Sequence, residues 1–136
     1  MNLYKHKVQY YETDKMSIVH HSNYIRWMEE ARVDFLEQLG MGFDKLEDMG
    51  IISPVVAVEG KYKQETKFPE IISILVQIEE FKGIKLKLKY TMTNDKGTIV
   101  FEGISEHCFQ NTEGRILNLK KEYPEVYGKL TENYIL

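Results

Sequence analysis

The chain has 136 residues, of which 43% are hydrophobic and 29% are charged, a mixture typical of one globular domain, here predicted to span residues 1–136. A formal net charge of −3 does not favour a nucleic-acid partner, and the single cysteine, Cys108, excludes an internal disulfide and every metal site built from several cysteines. Because the sequence shows neither a signal-like N-terminal segment nor an apolar run of about 18 residues, no membrane span is predicted and a cytoplasmic location is expected.

The first two predicted elements are a strand and a long helix. Residues 3–12 are rich in Tyr and Val, which predicts a strand. Residues 21–39 carry apolar side chains at helical spacing, with Ser22 or Asn23 available to cap the start and Gly40 or Gly42 to end the helix. The apolar positions are Tyr24, Met28, Ala31, Phe35 and Leu39, widened by Ile25, Trp27 and Leu36. A stripe this wide indicates a helix that packs against a large surface.

The rest of the chain is predicted to consist mainly of strands. A short second helix is expected at 42–49, and strands are expected at 53–66, 71–81, 84–92 and 98–110, with a two-residue turn at Lys82–Gly83. A short last strand is expected at 115–119 and a loose helix at 124–130. A strand, a long helix and then an antiparallel meander predict an α+β fold, in which a sheet of five or six strands wraps the helix.

Chemically useful side chains are densest at residues 10–24, where the first strand gives way to the long helix. Asp14 lies there on a loop, beside helix N–H groups that carry a partial positive charge. Those N–H groups can stabilise an oxyanion, while the carboxylate attacks the same carbonyl or activates a water molecule. On pattern alone Asp14 is more often a turn residue, and His20 and His21 are more often helix-start residues than catalysts.

This segment resembles the signature of hotdog-fold acyl-CoA thioesterases related to 4-hydroxybenzoyl-CoA thioesterase and to the Tol-Pal-associated bacterial thioesterases. The matching residues are Tyr10, Glu12, Thr13, Asp14, Val19, His21 and Tyr24, followed by Trp27, Glu29, Glu30, Ala31 and Arg32. Weaker similarity at 61–70, at 114–115 and at Pro124 extends the match over nearly the whole chain. The resemblance implies a hotdog fold and hydrolysis of an acyl-CoA thioester to a carboxylic acid and coenzyme A.

The same resemblance implies roles for individual residues. Asp14 matches the catalytic aspartate, as nucleophile or general base, and Tyr10 and His21 match residues that accompany it. The backbone N–H of His21 is expected to polarise the thioester carbonyl. Val19 and Tyr24, within the matched motif, are expected to contact the substrate. No metal ion or separate cofactor is expected, because coenzyme A is part of the substrate.

Four lysines are candidate contacts for the phosphates of coenzyme A: Lys63, Lys67, Lys82 and Lys85. A solvated strand face is an equally good interpretation of these positions. Two segments depart from the family pattern. Met16-Ser17 stands where the family usually has Gly, which leaves the size of the acyl group open, and residues 65–67 replace a Pro-Ala-Arg signature.

Several alternatives stay open. Glu29 and Glu30 on the helix are substitute carboxylates, although pairing with Arg26, with Arg32 or with a neighbouring strand is the simpler interpretation. The same site would also suit an acyl-carrier-protein thioesterase, or a non-catalytic module that binds acyl-CoA. A single sheet with one helix leaves an edge uncovered, so a homo-oligomer is expected. The resemblance implies a dimer with active sites at its interface, in some relatives assembled into a tetramer.

Overall fold

The elements of the chain follow the predicted order, with sharper boundaries, in a computed structural model that describes residues 3–132. The elements are strand β1 (Tyr4–Lys7), a 3-10 turn (Tyr10–Glu12), helices α1 (Ser22–Gln38) and α2 (Phe43–Asp48), strands β2 (Val55–Tyr62), β3 (Ile71–Phe81), β4 (Leu86–Thr93) and β5 (Ile99–His107), and helices α3 (Leu119–Glu122) and α4 (Pro124–Thr131).

The described strands form one five-stranded antiparallel sheet in the order β1-β3-β4-β5-β2. The predicted meander holds for β3, β4 and β5 but is wrong for β2, which crosses to the free edge of β5 and places Gly60 opposite Gly103. The reason is that β1 already pairs with the other side of β3, where Tyr4 lies opposite Ile74. Strands β1 and β2 are therefore the two edges of the sheet.

The long helix α1 lies against this sheet, which confirms the predicted α+β hotdog architecture. Its buried side chains are Tyr24, Trp27, Met28, Ala31, Arg32, Phe35 and Leu36. The stripe matches the prediction except at Ile25, which is exposed, and at Arg32, a charged residue within the apolar face. The predicted caps are also wrong, because His21 rather than Ser22 or Asn23 occupies the N-cap position. The helix ends as expected, just before Gly40 with its φ of 79°.

Other predicted boundaries also differ from the structure. Strand β2 is shorter than the predicted 53–66 and β5 is shorter than the predicted 98–110. The first strand stops at Lys7, because the chain folds into the 3-10 turn, where the carboxylate of Glu12 accepts the N–H of Gln9 at 2.7 Å. The turn after β3 spans four residues, 82–85, rather than two. Residues 115–119 form only an isolated bridge, between Ile116 and Gln110, before α3 begins. Among the helices of residues 3–132, none has the length and hydropathy needed to cross a membrane.

Candidate active site

Asp14 lies on a tight loop that is closed by three hydrogen bonds. Its N–H donates to the carbonyl of Ile18 at 2.9 Å, its carbonyl accepts the N–H of Ser17 at 2.9 Å, and its Oδ1 accepts the N–H of Met16 at 2.8 Å. Asp14 is therefore a turn residue, as the simpler interpretation predicted. Its carboxylate is also only half-buried and held on a defined backbone. A carboxylate in this setting is fixed in place and reachable from outside.

Ser17 explains how the loop forms without the glycine expected there. Its φ is 64°, in the left-handed region that glycine adopts without strain. The loop thus keeps a backbone shape suited to glycine although it carries Met16 and Ser17. The side chain of Met16 is 75% exposed and stands on the surface beside Asp14.

The two arms of this loop are paired, which ties Asp14 to the start of α1. The N–H of His20 donates to the carbonyl of Glu12 at 2.9 Å, and Thr13 forms an antiparallel bridge with Val19. Because α1 begins at Ser22, directly beyond these pairs, the position of the Asp14 loop relative to the helix N-terminus is set by backbone hydrogen bonds.

The N-terminus of α1 carries an unused donor. The N–H of Ser22 donates to Nδ1 of His20 at 3.2 Å, and the N–H of Asn23 donates to the carbonyl of His20 at 3.0 Å. Across residues 3–132, the N–H of His21 has no hydrogen-bond acceptor. An unpaired N–H at the positive end of a 17-residue helix is the kind of donor that stabilises an oxyanion.

Thr66, a residue not singled out from the sequence, clamps this helix start. Its carbonyl accepts the N–H of Val19 at 2.8 Å, and its hydroxyl is hydrogen-bonded to the phenol of Tyr24. Val19 and Tyr24 are 6% and 3% exposed, so the structure gives both an anchoring role. Their contact with substrate stays a prediction. A β-branched polar residue in a loop gives no sequence signal for such a role.

An aromatic cluster supports the same helix end from the sheet. The hydroxyl of Tyr62 donates to the carbonyl of His21 at 3.1 Å, and the ring of Phe101 lies 5.0 Å from Tyr24 and 5.1 Å from Tyr62. Gly60 is required under this cluster, because a Cβ there would collide with the ring of Phe101. The N-terminus of α1 is thus held on rigid packing rather than on a free loop.

Glu12 is a second carboxylate beside the loop, but it is buried and saturated with donors. Besides the N–H of Gln9, it accepts Nε2 of His6 at 2.9 Å and the indole N–H of Trp27 at 2.7 Å. Burial raises the pKa of Glu12, but the hydrogen bonds from Gln9, His6 and Trp27 outweigh burial, so its pKa lies below the ordinary value. Glu12 therefore serves to join β1, the 3-10 turn and α1.

Tyr10 and His21 surround the same connection without touching Asp14. The side chain of Tyr10 is 77% exposed and packs edge-on against Phe68, with ring centroids 5.7 Å apart. The ring of His21 is exposed and lies 4.2 Å from that of His20. Within the described residues, no hydrogen bond joins Asp14 to either side chain. The structure therefore gathers the predicted trio at one junction, and their catalytic roles stay predictions.

The candidate lysines divide into two groups. Lys63 lies 3.5 Å from Glu102 and Lys67 lies 3.8 Å from Glu65, both on exposed positions near the Asp14 end of the sheet. Lys82 and Lys85 line a surface groove beyond the other end of β3. Since β3 has 11 residues, about 35 Å separates its ends. Within one protomer, the structure does not bring Lys82 and Lys85 to Asp14.

The helix glutamates also take different roles. Glu30 accepts the hydroxyl of Tyr4 at 3.1 Å and is hydrogen-bonded to Nδ1 of His6 at 3.0 Å, which confirms the predicted pairing with a neighbouring strand. Burial, together with the charge of Glu30, raises the pKa of Tyr4 to about 12. Glu29 instead borders a cavity on the other side of α1. Among residues 3–132, no grouping of His, Cys, Asp and Glu has the arrangement of a metal site.

A long helix packed on a five-stranded antiparallel sheet defines the hotdog fold. A family profile described as the thioesterase-like superfamily matches residues 8–130, and the chain belongs to that superfamily.

Individual relatives agree with this assignment. The chain is 32% identical over 120 residues to the Bacillus subtilis protein named "Putative acyl-CoA thioesterase YneP", covering 88% of this chain and 87% of the relative. It is similar in structure to a DHNA-CoA thioesterase from Staphylococcus aureus, with a TM-score of 0.87, 29% identity and coverage of 99% and 96% of the two chains. It is also similar to the gentisyl-coenzyme A thioesterase BH1999, with a TM-score of 0.80, 26% identity and coverage of 88% and 96%. The predicted family, fold and enzyme class are confirmed.

Proposed function

We propose that this chain hydrolyses an acyl-CoA thioester to the free acid and coenzyme A, with Asp14 as its catalytic carboxylate. The observation that carries the proposal is the unpaired N–H of His21 at the start of α1, next to a loop that presents the carboxylate of Asp14. The N–H of His21 can stabilise the negative charge that develops on the carbonyl oxygen. The carboxylate of Asp14 can supply the attacking oxygen or activate the water that does so.

Two routes use the same pair of groups. In the first, Asp14 takes a proton from water, the hydroxide oxygen bonds to the carbonyl carbon, and the C–S bond breaks as the thiolate leaves and takes up that proton. In the second, a carboxylate oxygen of Asp14 bonds to the carbonyl carbon and releases the thiolate, and water then hydrolyses the resulting anhydride. In both routes the N–H of His21 stabilises the oxyanion. Tracing oxygen-18 from water into the side chain of Asp14 separates them.

Coenzyme A is favoured over an acyl-carrier protein by the relatives. The Bacillus subtilis protein is named for acyl-CoA, and the two solved thioesterases are named for the CoA thioesters of DHNA and gentisic acid. The exposed lysines at the Asp14 end of the sheet, Lys63 and Lys67, are suited to the phosphates of coenzyme A. Because Lys82 and Lys85 lie far from Asp14 of their own chain, they can bind the phosphates of coenzyme A only at the active site of a second copy.

We also infer that the active unit is a homodimer formed through β2. This strand is an edge of the sheet, and its residues Val55, Val56 and Val58 are 49%, 52% and 43% exposed. An unpaired edge with exposed valines on both faces is unfavourable in water and is covered when two copies pair edge to edge. Light scattering after size exclusion should give a dimer, or a tetramer built from two such dimers. A monomer would contradict this inference.

The activity is tested with a panel of short-chain, long-chain and aromatic acyl-CoA thioesters, with detection of the free thiol. At least one thioester should be turned over, with kcat/KM well above that for the matching acyl-carrier protein. The reverse preference would identify an acyl-carrier-protein thioesterase. Binding of acyl-CoA in a calorimeter without thiol release would identify a binding module, and either result would overturn the proposal.

A further inference from the structure

A cavity of about 210 Å³ lies between α1 and the sheet, apart from the Asp14 loop. Its lining includes Ile25, Glu29 and Arg32 of the helix and Tyr90, Ser105 and His107 of the sheet. A buried cavity of about 150 Å³ is enough to hold a benzene ring. The cavity therefore has room for a substituted ring or a short acyl chain.

The cavity contains a buried guanidinium, that of Arg32, which makes no ion pair with a described residue; the charge of Glu29, on the same helix, favours its charged form. Arg32 is 6% exposed, its Nη1 has no hydrogen-bond partner, and none of the ion pairs among residues 3–132 includes Arg32. Of the partners predicted for the helix glutamates, the described part of the chain therefore shows the strand, at Glu30, and no ion pair with Arg32. The Cζ atom of Arg32 lies 5.0 Å from the centre of the Phe43 ring. A guanidinium stays charged in proteins, and burying it without a partner is costly.

A second residue that lines the cavity, His107, also carries an unpartnered polar atom. His107 is 1% exposed and its Nδ1 has no hydrogen-bond partner, while its Nε2 is hydrogen-bonded to Ser105 at 2.7 Å. Ser105 is in turn hydrogen-bonded to the phenol of Tyr90 at 2.7 Å. When Tyr90 donates to Ser105 and Ser105 donates to Nε2, the neutral ring carries its hydrogen on Nδ1. The cavity then presents two buried donors, one of them charged.

A carboxylate is a small group that complements both the guanidinium of Arg32 and the unpartnered Nδ1 of His107. Its two oxygens can accept from Arg32 and from His107, and its charge neutralises the guanidinium, which a neutral hydroxyl cannot do. Buried donors of this kind reject an analogue that lacks the acceptor. Glu29 also lines the cavity, but its side chain is exposed and makes no ion pair with Arg32, so the carboxylate of a ligand can still pair with the guanidinium.

The cavity also points toward the proposed reaction centre. It begins at Ile25, in the first turn of α1, and reaches Arg32, which lies about 15 Å along the axis from Ser22. Long helical side chains lean toward the helix N-terminus, which shortens this distance. An acyl group whose carbonyl lies at the N-terminus can therefore extend along the helix into the cavity.

We propose that the Arg32–His107 cavity is the acyl subsite and that it selects acyl groups ending in a carboxylate, that is, the mono-CoA thioesters of dicarboxylic acids. This proposal rests on the proposed thioesterase function. It adds Arg32 as the residue that determines specificity, with His107, held by Ser105 and Tyr90, as the second donor to the carboxylate.

The test compares adipoyl-CoA with hexanoyl-CoA, which match in chain length and differ in the distal carboxylate. The wild-type protein should favour adipoyl-CoA in kcat/KM by about tenfold or more. Arg32→Met, which keeps the apolar stem and removes the charge, should abolish this preference. Arg115→Met, which removes a guanidinium that does not line the cavity, should preserve it. Equal rates with the two thioesters, or an unchanged preference in Arg32→Met, would overturn the proposal.

A binding experiment separates this proposal from the thioesterase function and needs no variant. Benzoate and benzamide are similar in shape, but only benzoate is charged. Calorimetry on the wild-type protein should detect benzoate with affinity about tenfold or more above that of benzamide. If no acyl-CoA of the whole panel is hydrolysed, the thioesterase function fails, while this comparison still decides the subsite. Benzoate binding no tighter than benzamide would overturn the subsite.

Discussion

The indole N–H of Trp27 donates to the carboxylate of Glu12 at 2.7 Å, and both groups are buried. This bond joins the 3-10 turn that precedes Asp14 to the face of α1 that lies on the sheet. The opposite oxygen of Glu12 accepts from His6 of β1, so one carboxylate connects three elements. The orientation of the Asp14 loop therefore depends on a buried acid that itself lies outside the reaction.

Replacing Glu12 with Gln should destabilise the fold by about 2–3 kcal/mol, because the amide NH2 faces N–H donors and leaves at least one of them unpaired. Glu65→Gln, at an exposed position, should change the free energy of unfolding by less than about 0.5 kcal/mol. Urea denaturation measures both. The lowered pKa of Glu12 also means that its contribution is complete above about pH 4.5 and is lost as the pH falls below that value. Wild-type stability in Glu12→Gln would refute the role assigned to Glu12.

His107 predicts a pH dependence of stability in a higher range. Burial, with a smaller effect of the charge of Arg32, lowers the pKa of His107 to about 3. Between that value and the ordinary pKa near 6.5, only the unfolded chain binds a proton at this residue, so stability falls as the pH falls. The titration of His107 should lower the free energy of unfolding by up to about 1.4 kcal/mol for each pH unit. Urea denaturation of the wild type from pH 6.5 to pH 5 should show this slope, and His107→Gln should lose it. Identical slopes would mean that His107 titrates normally.

Gly103 should not tolerate a side chain. A Cβ at this position would lie 2.8 Å from the ring of Phe101 and 2.9 Å from Sδ of Met28. Gly103→Ala should therefore destabilise the fold by about 1–3 kcal/mol, the usual cost of overpacking. Gly128 in α4 has open space around its Cβ position, so Gly128→Ala should stabilise by about 0.5–1 kcal/mol. Thermal unfolding separates the two, and equal melting temperatures would contradict the packing described between α1 and β5.

The sequence predicted those parts of the fold that depend on local periodicity. Helix α1 and strand β3 were placed to within one or two residues, because a repeat of about 3.6 or of two residues directly reflects burial on one face. The position of β2 at the far edge could not be predicted, since its own pattern does not show that β1 already occupies the free side of β3. Strand pairing is a long-range property of this kind.

The candidate site was predictable to a similar degree. The resemblance located the junction between Asp14 and His21, because its residues are adjacent in sequence. Thr66 and the Arg32–His107 cavity join residues more than 40 positions apart, and no spacing rule connects such residues. One signal was nevertheless present. Arg32 follows Tyr24 and Met28 at steps of four, so it interrupts the apolar stripe of α1 with a charge.

The carboxylate of Asp14 can be removed without removing its turn. Asparagine at this position keeps an oxygen that accepts the N–H of Met16, so Asp14→Asn should preserve the loop, whereas Asp14→Ala loses both the turn bond and the charge. Similar melting temperatures for Asp14→Asn and the wild type would show that the loop is intact. Asp95→Asn, in the exposed turn between β4 and β5, is the matched control and should keep wild-type activity.

The most direct test is kcat/KM for the best acyl-CoA substrate of the wild type, measured by thiol release for Asp14→Asn and for Asp95→Asn. If Asp14 is the nucleophile or general base, Asp14→Asn should lose at least about 100-fold in kcat/KM while Asp95→Asn keeps the wild-type value. A folded Asp14→Asn protein that hydrolyses acyl-CoA at the wild-type rate would contradict the assignment of Asp14 as the catalytic carboxylate.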